Sequence, residues 1–583
     1  MRTALLLTTL AATLATAQRR PFTPDDLRAW RTVSDARVRP DGKWAVYVEQ
    51  SNLWIASTDG RERKQWTNGA WHDSSPRWSP DGERVAWISD RGGRPHLRVR
   101  KLDATAEVEL RSDAAPLTFA WSAEGESIAF TSAVERGDAP AWMPAAAVPL
   151  WKRPAPVVQV FVVPSAGGAA KQISHAEAGC GSEPSWMLNG RSVIAACDDG
   201  LVALPVAGGA AKKLTTDPGL YEAPLVSPDG GRIAYLRTDR KPQNYVVRKL
   251  WVMNADGSRA RVLSGSLDRD AMDPQWSSES RTVYFLADDR GATHVYAARN
   301  DGTLRPVTNK AERLTGFSLA DNGRAVSVRS TATEGGDVVT FTVDSVSQPV
   351  TIAAPNDHLL ADRQSGAVEE LSYQSEGHTI QAWLVKPPSF DASKKYPLLV
   401  DVADDPRRMY GVEFQLRAQV FAARGFVVLC ANPRGTPGYG EEFGSLLPTR
   451  NPGDDFDDLV RGVDAAVAKG YVDGQRVAIA GGIVTAWALG HSTRFFKAVA
   501  KRPIVDWAAT PGTAVWDDPD LYAKRSPIYY AQNFRTPTLV LGDDGQSETL
   551  YRALRSRGVE AVMMRTPDDR AVEIETIIGW LEK

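Results

Sequence analysis

The sequence predicts two successive domains, a seven-bladed β-propeller and a doubly wound α/β domain with a mostly parallel sheet. Two observations carry this prediction. A turn motif recurs about every 40 residues through the first part of the chain. From about residue 365, apolar strand-like segments alternate with helix-like segments, as in α/β domains. We therefore predict a propeller over residues 18–360 and an α/β domain over residues 361–583.

The recurring motif is a Pro-Asp-Gly-like turn between a polar or Trp-Ser approach and an alternating apolar strand. Pro presets the first turn dihedral, and Asp, Asn and Gly accept the turn's special backbone angles, so each copy predicts a corner between two strands. Since one four-stranded blade has this period, seven copies predict seven blades. The copies are Arg39–Gly42, Trp78–Gly82, Trp121–Gly125, Trp186–Gly190, Val226–Gly230, Trp276–Ser280 and Leu319–Gly323.

Residues 131–160 interrupt this period with a Pro- and Ala-rich insertion that carries Trp142 and Trp151. An exposed pair of tryptophans favours a binding surface, because large apolar patches mark interaction sites. Packing of both rings onto the propeller is the alternative, and the sequence leaves both open.

The N-terminus predicts export. A basic start is followed by an apolar run over 4–15 and by the small-residue pattern Ala15-Thr16-Ala17, which indicates a signal peptide over residues 1–17. No later stretch reaches the roughly 18 apolar residues of a membrane span. We expect a periplasmic or secreted protein, in which Cys180 and Cys197 are able to pair in an oxidising compartment.

Composition excludes several function classes. A formal net charge of −2 provides no electrostatic footprint for nucleic acid or an anionic membrane. Three Cys and seven His show no zinc-ligand spacing, so we expect neither a metal nor a cofactor. The acidic cluster Asp454–Asp458 suggests a calcium site, but its position after Asn451-Pro452-Gly453 favours a helix start, where carboxylates meet the positive end of the dipole.

Four motifs stand in the second part of the chain. They are Trp383–Pro388 with Lys395–Val400, Asn432–Gly440, Gly470–Asp473 with Arg476–Ile479, and Ser526–Tyr529 with Thr536–Val540. In this order they resemble four features of the prolyl oligopeptidase family of serine peptidases, particularly its dipeptidyl peptidase and acylaminoacyl peptidase branches: the entry into the hydrolase sheet, an Asn-x-Arg-Gly-x-x-Gly-Tyr-Gly loop that includes Arg434 and Tyr439, the approach to the nucleophile and the approach to the acidic residue. The resemblance implies an α/β-hydrolase domain after the propeller, short peptide substrates entering between the domains, and a capacity for homodimer formation.

The nucleophile position has lost its hydroxyl. The family's Gly-Gly-Ser-x-Gly-Gly turn is matched by Gly481–Ala486, which places Ile483 at the serine, between Gly482 and Val484. In the α/β-hydrolase fold this turn is strained so that the hydroxyl stands clear of the sheet. A β-branched residue in such a conformation costs about 1–3 kcal/mol, so we expect the turn to have relaxed.

The other catalytic positions are degenerate too. No His follows His491, and the segment that matches the family's Gly-His carries Arg570, which stays charged and cannot act as a base. Asp544 matches the acid, but an acid without its histidine orients nothing. The oxyanion loop is matched by Ala403-Asp404-Asp405-Pro406, whose carboxylates would oppose a developing oxyanion.

We therefore predict an exported pseudopeptidase, with no catalytic residues, that binds a peptide or protein ligand or acts as a scaffold. The vestigial cleft is predicted to comprise Ala403, Asp404, Asp405, Gly482, Ile483, Val484, Arg434 and Tyr439. One alternative is an active exopeptidase or esterase with a relocated nucleophile, although adjacent helical residues such as His491 and Ser492 point to different faces. The other is an interaction module that uses the propeller surface alone.

Overall fold

The computed structural model describes residues 19–135, 155–177, 179–198, 200–239, 245–344, 348–403, 408–446, 451–510 and 517–583. The predicted signal peptide and the insertion tryptophans Trp142 and Trp151 lie outside these residues. In the part of the chain that is described, no helix has the length and apolar character to cross a bilayer.

Seven four-stranded antiparallel sheets follow a short strand β1 (Arg20–Pro21) and a short helix α1 (Asp25–Ala29). Each sheet is built from four consecutive strands, which is the arrangement of propeller blades, so the prediction of seven blades is confirmed. The strands are β2–β5 (Val33–Val38, Trp44–Glu49, Asn52–Ser57, Arg63–Gln65), β6–β9 (Asp73–Trp78, Arg84–Ser89, His96–Lys101, Glu107–Leu110), β10–β13 (Thr118–Trp121, Ser127–Val134, Val157–Pro164, Lys171–Gln172), β14–β17 (Ser185–Trp186, Ser192–Cys197, Gly200–Pro205, Lys212–Lys213), β18–β21 (Leu220–Val226, Arg232–Thr238, Lys249–Asn254, Arg261–Val262), β22–β25 (Met272–Trp276, Thr282–Asp289, Ala292–Arg299, Leu304–Pro306) and β26–β29 (Arg313–Leu319, Arg324–Ser330, Gly335–Thr342, Val350–Ala353).

The recurring turn forms the corner between the first and second strands of every blade. Its last residue has a positive φ in all seven copies, being a glycine in six and Ser280 in the remaining one. Since glycine adopts this conformation without a steric penalty, the turn chemistry explains where each corner falls.

The tryptophan before the corner ties neighbouring blades together. Its indole N–H donates to a backbone carbonyl on the first strand of the preceding blade, as from Trp78 to Arg37 (3.0 Å) and from Trp276 to Leu225 (2.9 Å). Trp121 and Trp186 make the same bond. Blades that lack this tryptophan are joined through serine hydroxyls instead. Ser318 of the last blade accepts from the Val38 N–H of the first and so helps to close the ring.

A disulfide joins Cys180 to Cys197, across a sequence separation of 17 residues. The bond links the approach to β14 with the end of β15, so it lies within the fourth blade. The pairing anticipated from the sequence is therefore present. Cys430 is a free, buried thiol in the second domain.

The second domain contains an eight-stranded sheet in the order β31-β32-β34-β33-β35-β36-β37-β38, in which the six strands from β34 to β38 run parallel. Its strands are β31 (Val368–Ser375), β32 (His378–Val385), β33 (Tyr396–Asp401), β34 (Val427–Asn432), β35 (Val472–Gly481), β36 (Lys497–Lys501), β37 (Thr538–Leu541) and β38 (Ala561–Met564), and a short β30 (Arg363–Gln364) precedes them. The helices are α2 (Asp357–Asp362), α3 (Leu416–Ala423), α4 (Glu441–Gly444), α5 (Asp454–Ala468), α6 (Ile483–His491), α7 (Pro519–Arg525), a 3₁₀ helix (Pro527–Asn533), α8 (Gly545–Ser556) and α9 (Arg570–Glu582).

Both faces of this sheet are covered, which explains why its central strands are apolar throughout. Leu398 and Val400 of β33 pack with side chains of α5, α6 and α8, whereas Leu399 packs with those of α3 and α9. This is the predicted doubly wound α/β arrangement, with helices on both sides of a mostly parallel sheet.

Residues 20–26, at the start of the described chain, pack against the second domain, although they precede the propeller in sequence. Strand β1 pairs in parallel with β30, and Phe22 is buried in the core that contains α3 and α9. Asp26 is 2 % exposed and receives two hydrogen bonds from the Arg363 guanidinium, at 2.7 and 2.9 Å. The start of the described chain therefore contributes contacts that stabilise the second domain.

The domains also meet where the hairpin turn of blade 6 contacts the loop over 408–414. The Gly291 N–H lies 3.2 Å from the Met409 sulfur, and the Val412 N–H donates to the Gly291 carbonyl at 3.0 Å. Arg313 donates to the Met409 carbonyl at 2.7 Å. A Cβ on Gly411 would lie 2.0 Å from the Gly291 oxygen, so this contact requires glycine.

Candidate functional site

A cavity of about 340 Å³ lies at the carboxyl ends of four parallel strands, β33 to β36. In open α/β sheets this edge is where ligands bind. Residues that directly follow each strand form much of its wall. The lining residues are Val402, Ala403, Arg408, Ala431, Pro433, Arg434, Thr436, Asn451, Asp455, Leu459, Gly482, Ile483, Val484, Lys501, Arg502, Ile504 and Trp507.

Ile483 lies where the strand-to-helix turn enters the cavity. Gly482 caps α6, and Ile483 is the first residue of that helix, with a half-buried side chain. Ile483 is not among the described non-glycine residues with positive φ, so it does not adopt a left-handed conformation. Ile483 itself therefore lacks the strained conformation that presents a hydroxyl in this fold, whereas Gly482 before it has φ −87° and ψ −118°.

None of the seven histidines lines the cavity, although all seven lie in the described part of the chain. His491, which is the last in sequence, stacks on Trp487 with 3.7 Å between ring centroids, and its Nδ1 lies 2.9 Å from the Trp487 carbonyl oxygen. Burial lowers the pKa of His491. The Ser492 hydroxyl accepts from the Arg494 N–H. Among the described contacts, His491 and Ser492 make no hydrogen bond with each other.

The positions matched to the acid and the histidine have structural roles at helix ends. Asp544 is exposed and caps α8 by accepting the Ser547 N–H at 2.8 Å. Arg570 is exposed at the first position of α9, where Asp569 is the capping residue. Neither residue lines the cavity. In both loops an aspartate, Asp544 or Asp569, is the N-cap residue of the helix that follows.

The predicted oxyanion loop is only partly described. Ala403 lines the cavity, whereas Asp404 and Asp405 lie outside the described residues. The structure therefore brings together Ala403, Arg434 and the three turn residues of the predicted cleft. Tyr439 stands apart, because its hydroxyl accepts from Asn432 at 2.7 Å and donates to Gln381 at 2.6 Å, away from the cavity wall.

Arg434 is committed to a buried ion-pair network. Its side chain is 3 % exposed and contacts Asp458 (2.9 Å), Glu376 (2.9 Å) and Asp454 (3.4 Å). Burial opposes the charge, but hydrogen bonds and attraction to Asp458 outweigh it and raise the pKa of Arg434. Asp454, Asp455 and Asp457 occupy the first turn of α5, so the acidic cluster starts a helix as predicted. Among the described residues, no group of three potential ligands could hold a metal ion.

Sequence reasoning missed several residues of the wall. Asp455 is 3 % exposed, accepts from Asn451 Nδ2 and Gly453 N–H at 2.8 Å each, and has a pKa that burial raises to about 6. Lys501 pairs with Glu573 at 2.8 Å. Arg408, Arg502, Ile504 and Trp507 also line the cavity and were not predicted. One available signal was the rule that residues just after parallel strands line the ligand site, which applies to Arg502 after β36.

Comparisons with known proteins identify the second domain and the fold. Residues 412–570 match the model of the prolyl oligopeptidase family. The uncharacterized peptidase YuxL of Bacillus subtilis is 27% identical over 94% of this chain and 95% of its own length. Dipeptidyl-peptidase 5 of Porphyromonas gingivalis is 24% identical over 96% of this chain and 95% of its own length.

Solved structures show the same architecture. The acylaminoacyl peptidase of Pyrococcus horikoshii superposes with a TM-score of 0.81 at 19% identity, covering 96% of this chain and 97% of its own. Dipeptidyl peptidase 4 of Porphyromonas gingivalis superposes with a TM-score of 0.65 at 17% identity, covering 94% and 90%. The chain therefore has the fold of a β-propeller followed by an α/β-hydrolase domain, and it resembles the prolyl oligopeptidase family, whose model matches residues 412–570.

Proposed function

We propose that the protein is an exported pseudopeptidase, which binds a peptide in the cavity of its α/β-hydrolase domain and does not cleave it. The observation that carries the proposal is the composition of the cavity wall. Ile483, which the sequence motif matches to the nucleophile, lines the cavity, and none of the seven histidines, all of which are described, does so.

Chemistry explains why these two losses matter. Acyl transfer in this fold requires a hydroxyl that an adjacent imidazole deprotonates, with an acid orienting the imidazole. Removing the nucleophile or the base of such a triad lowers the rate by about a millionfold in a well-studied protease. Asp544 and Arg570 offer no replacement, since both are exposed helix-end residues away from the cavity.

Retention of a shaped cavity supports ligand binding. Its volume of about 340 Å³ falls within the range of roughly 300–1,000 Å³ typical of ligand sites. Its wall combines apolar residues such as Ile504 and Trp507 with polar ones such as Thr436 and Asn451. Such a wall suits one or two residues of a peptide, which is the ligand class that the resemblance implies.

Export is supported by two features of the chain. The first 17 residues have the pattern of a signal peptide. The Cys180–Cys197 disulfide is of the kind that forms in oxidising compartments. Cell fractionation with antibody detection should find the protein in the periplasm or medium, and purely cytoplasmic protein that retains residues 1–17 would contradict export.

The test of the noncatalytic assignment uses the mature protein, residues 18–583. We expect no labelling by a fluorophosphonate probe and no hydrolysis of peptide or ester substrates above the uncatalysed rate. The matched variant Ile483→Ser restores the hydroxyl without the imidazole and should also remain inactive. Hydrolysis that disappears on substitution of one particular serine would refute the proposal and establish a relocated nucleophile.

A further inference from the structure

The charged residues of the cavity wall divide into two groups. Arg434, Lys501 and Asp455 are committed to partners, respectively the Asp458 network, Glu573 and the amides of Asn451 and Gly453. Arg408 and Arg502 are different. Both are exposed, and no described carboxylate forms an ion pair with either.

The backbone holds both of these arginines firmly. Arg502 directly follows β36, has a φ of 37°, and donates its N–H to the Leu541 carbonyl at 2.7 Å. A non-glycine residue with positive φ is uncommon and clusters at functional sites. Arg408 precedes Met409, whose sulfur and carbonyl are bound by Gly291 and Arg313 of the propeller. The Arg408 guanidinium carbon lies 5.3 Å from the Tyr410 ring centroid, a stacking contact that leaves its edge N–H groups available.

We propose that Arg408 and Arg502 together bind a carboxylate group of the ligand, whose apolar part packs against Ile483, Ile504 and Trp507. This inference rests on the proposed peptide-binding function and assigns the end of the peptide that enters the cavity, namely a free C-terminus. Guanidinium groups suit this role because their planar N–H donors match the two oxygens of a carboxylate.

Asp455, the described carboxylate in the wall, does not compete strongly with a bound anion. Its oxygens accept hydrogen bonds from Asn451 and Gly453, and among the described contacts it forms no ion pair with Arg408 or Arg502. Of the four described cations that line the cavity, Arg434 and Lys501 are paired with carboxylates, so the charge left to attract an anion is that of Arg408 and Arg502.

The test compares ligands that differ only in the terminal group. Isothermal titration calorimetry on the mature protein would use N-acetyl-alanyl-alanyl-phenylalanine, its C-terminal amide, and N-acetyl-phenylalanine. We expect the free acid to bind about tenfold to a hundredfold more tightly than the amide, as for a charge-assisted hydrogen-bonded pair.

Arg408→Gln and Arg502→Gln should each reduce this preference for the acid by about fivefold or more. Affinity for the amide should not change, which verifies folding, and Arg555→Gln on α8 is the matched control.

Equal affinity for acid and amide, absence of measurable binding by either, or insensitivity to both substitutions would overturn the inference. The variant Asp404→Asn/Asp405→Asn removes two negative charges that lie close to Arg408 in the sequence, so it should bind the acid at least as well as the wild type. Weaker binding of the acid by this variant would contradict the inference. If N-acetyl-phenylalanine binds the wild type as tightly as the tripeptide, a small carboxylic acid satisfies the site, whereas tenfold weaker binding assigns it to a peptide end.

Mass spectrometry of the recovered peptides separates the two proposals. Cleavage would overturn the noncatalytic function, whereas equal affinity of uncleaved acid and amide would overturn only the carboxylate inference.

Discussion

Replacing Arg434 by methionine tests whether the retained Asn-x-Arg-Gly loop has become a purely structural element. The substitution keeps an apolar stem of similar length and removes every contact of the guanidinium. Asp458, which is fully buried, would then lose its charged partner and keep the Arg434 backbone N–H at 2.8 Å. Breaking a buried pair by removing one partner costs about 3–5 kcal/mol. The remaining N–H donor places this case near the lower end, at about 3 kcal/mol.

The ion pair between Arg434 and Glu376 changes this figure little. Glu376 is 54 % exposed, and an exposed ion pair contributes about 0–1 kcal/mol. Glu376→Gln is therefore the matched control and should change stability by less than about 1 kcal/mol. In the double variant Arg434→Met/Asp458→Leu no buried charge is left at position 458, so it should be more stable than Arg434→Met alone.

Thermal and urea unfolding of the purified proteins, followed by circular dichroism, would measure these differences. For a domain of about 150–250 residues, a loss of about 3 kcal/mol lowers the Tm by about 6–12 °C. A fall of less than about 2 °C for Arg434→Met would refute the reasoning. So would a double variant that is less stable than the single one, because the penalty would then not come from an unpaired Asp458.

Three further predictions concern the propeller. Cys180→Ser/Cys197→Ser should lower the stability by about 3 kcal/mol, because the disulfide closes a loop of 17 residues, and reduction of the wild type should reproduce the effect in urea unfolding. Trp276→Phe removes the donor to the Leu225 carbonyl and should destabilise the protein by about 1–3 kcal/mol. An unchanged urea midpoint would show that this hydrogen bond between blades does not contribute to stability. Burial, with Asp357 and Glu334 nearby, raises the pKa of Asp337 to about 7, above its unfolded value near 4. Its contribution to stability is therefore fully present below about pH 4 and is lost as the pH rises through 7, so Asp337→Asn should raise the Tm above pH 7 and not below pH 4.

The propeller could be predicted because its signal is local. Proline, aspartate and glycine determine the corners through their own backbone preferences, and seven repetitions make the count reliable. The bonds between blades could not be predicted, since they join residues about 40 positions apart, such as Trp78 and Arg37. For the same reason the N-terminal segment was missed, because Phe22 is a single apolar residue whose partners lie in the second domain.

In the candidate site, too, the residues that could be predicted are those marked by a local sequence pattern. Ile483, Arg434 and Ala403 were found because each stands within a recognisable motif, and all three line the cavity. Arg408 and Trp507 lie in loops whose positions are determined by tertiary contacts, and no short pattern marks them, whereas Arg502 directly follows a parallel strand.

The loop over 408–414 contributes Arg408 to the cavity wall and is held in place by Gly291 of the propeller, so both domains determine the shape of the cavity opening. Substitutions in the blade 6 turn can therefore alter the shape of the opening while every residue of the hydrolase sheet stays unchanged. A separately expressed second domain would lack the bonds from Gly291 and Arg313 that hold Met409. Its ligand preferences would then differ from those of the intact chain even if it folded perfectly.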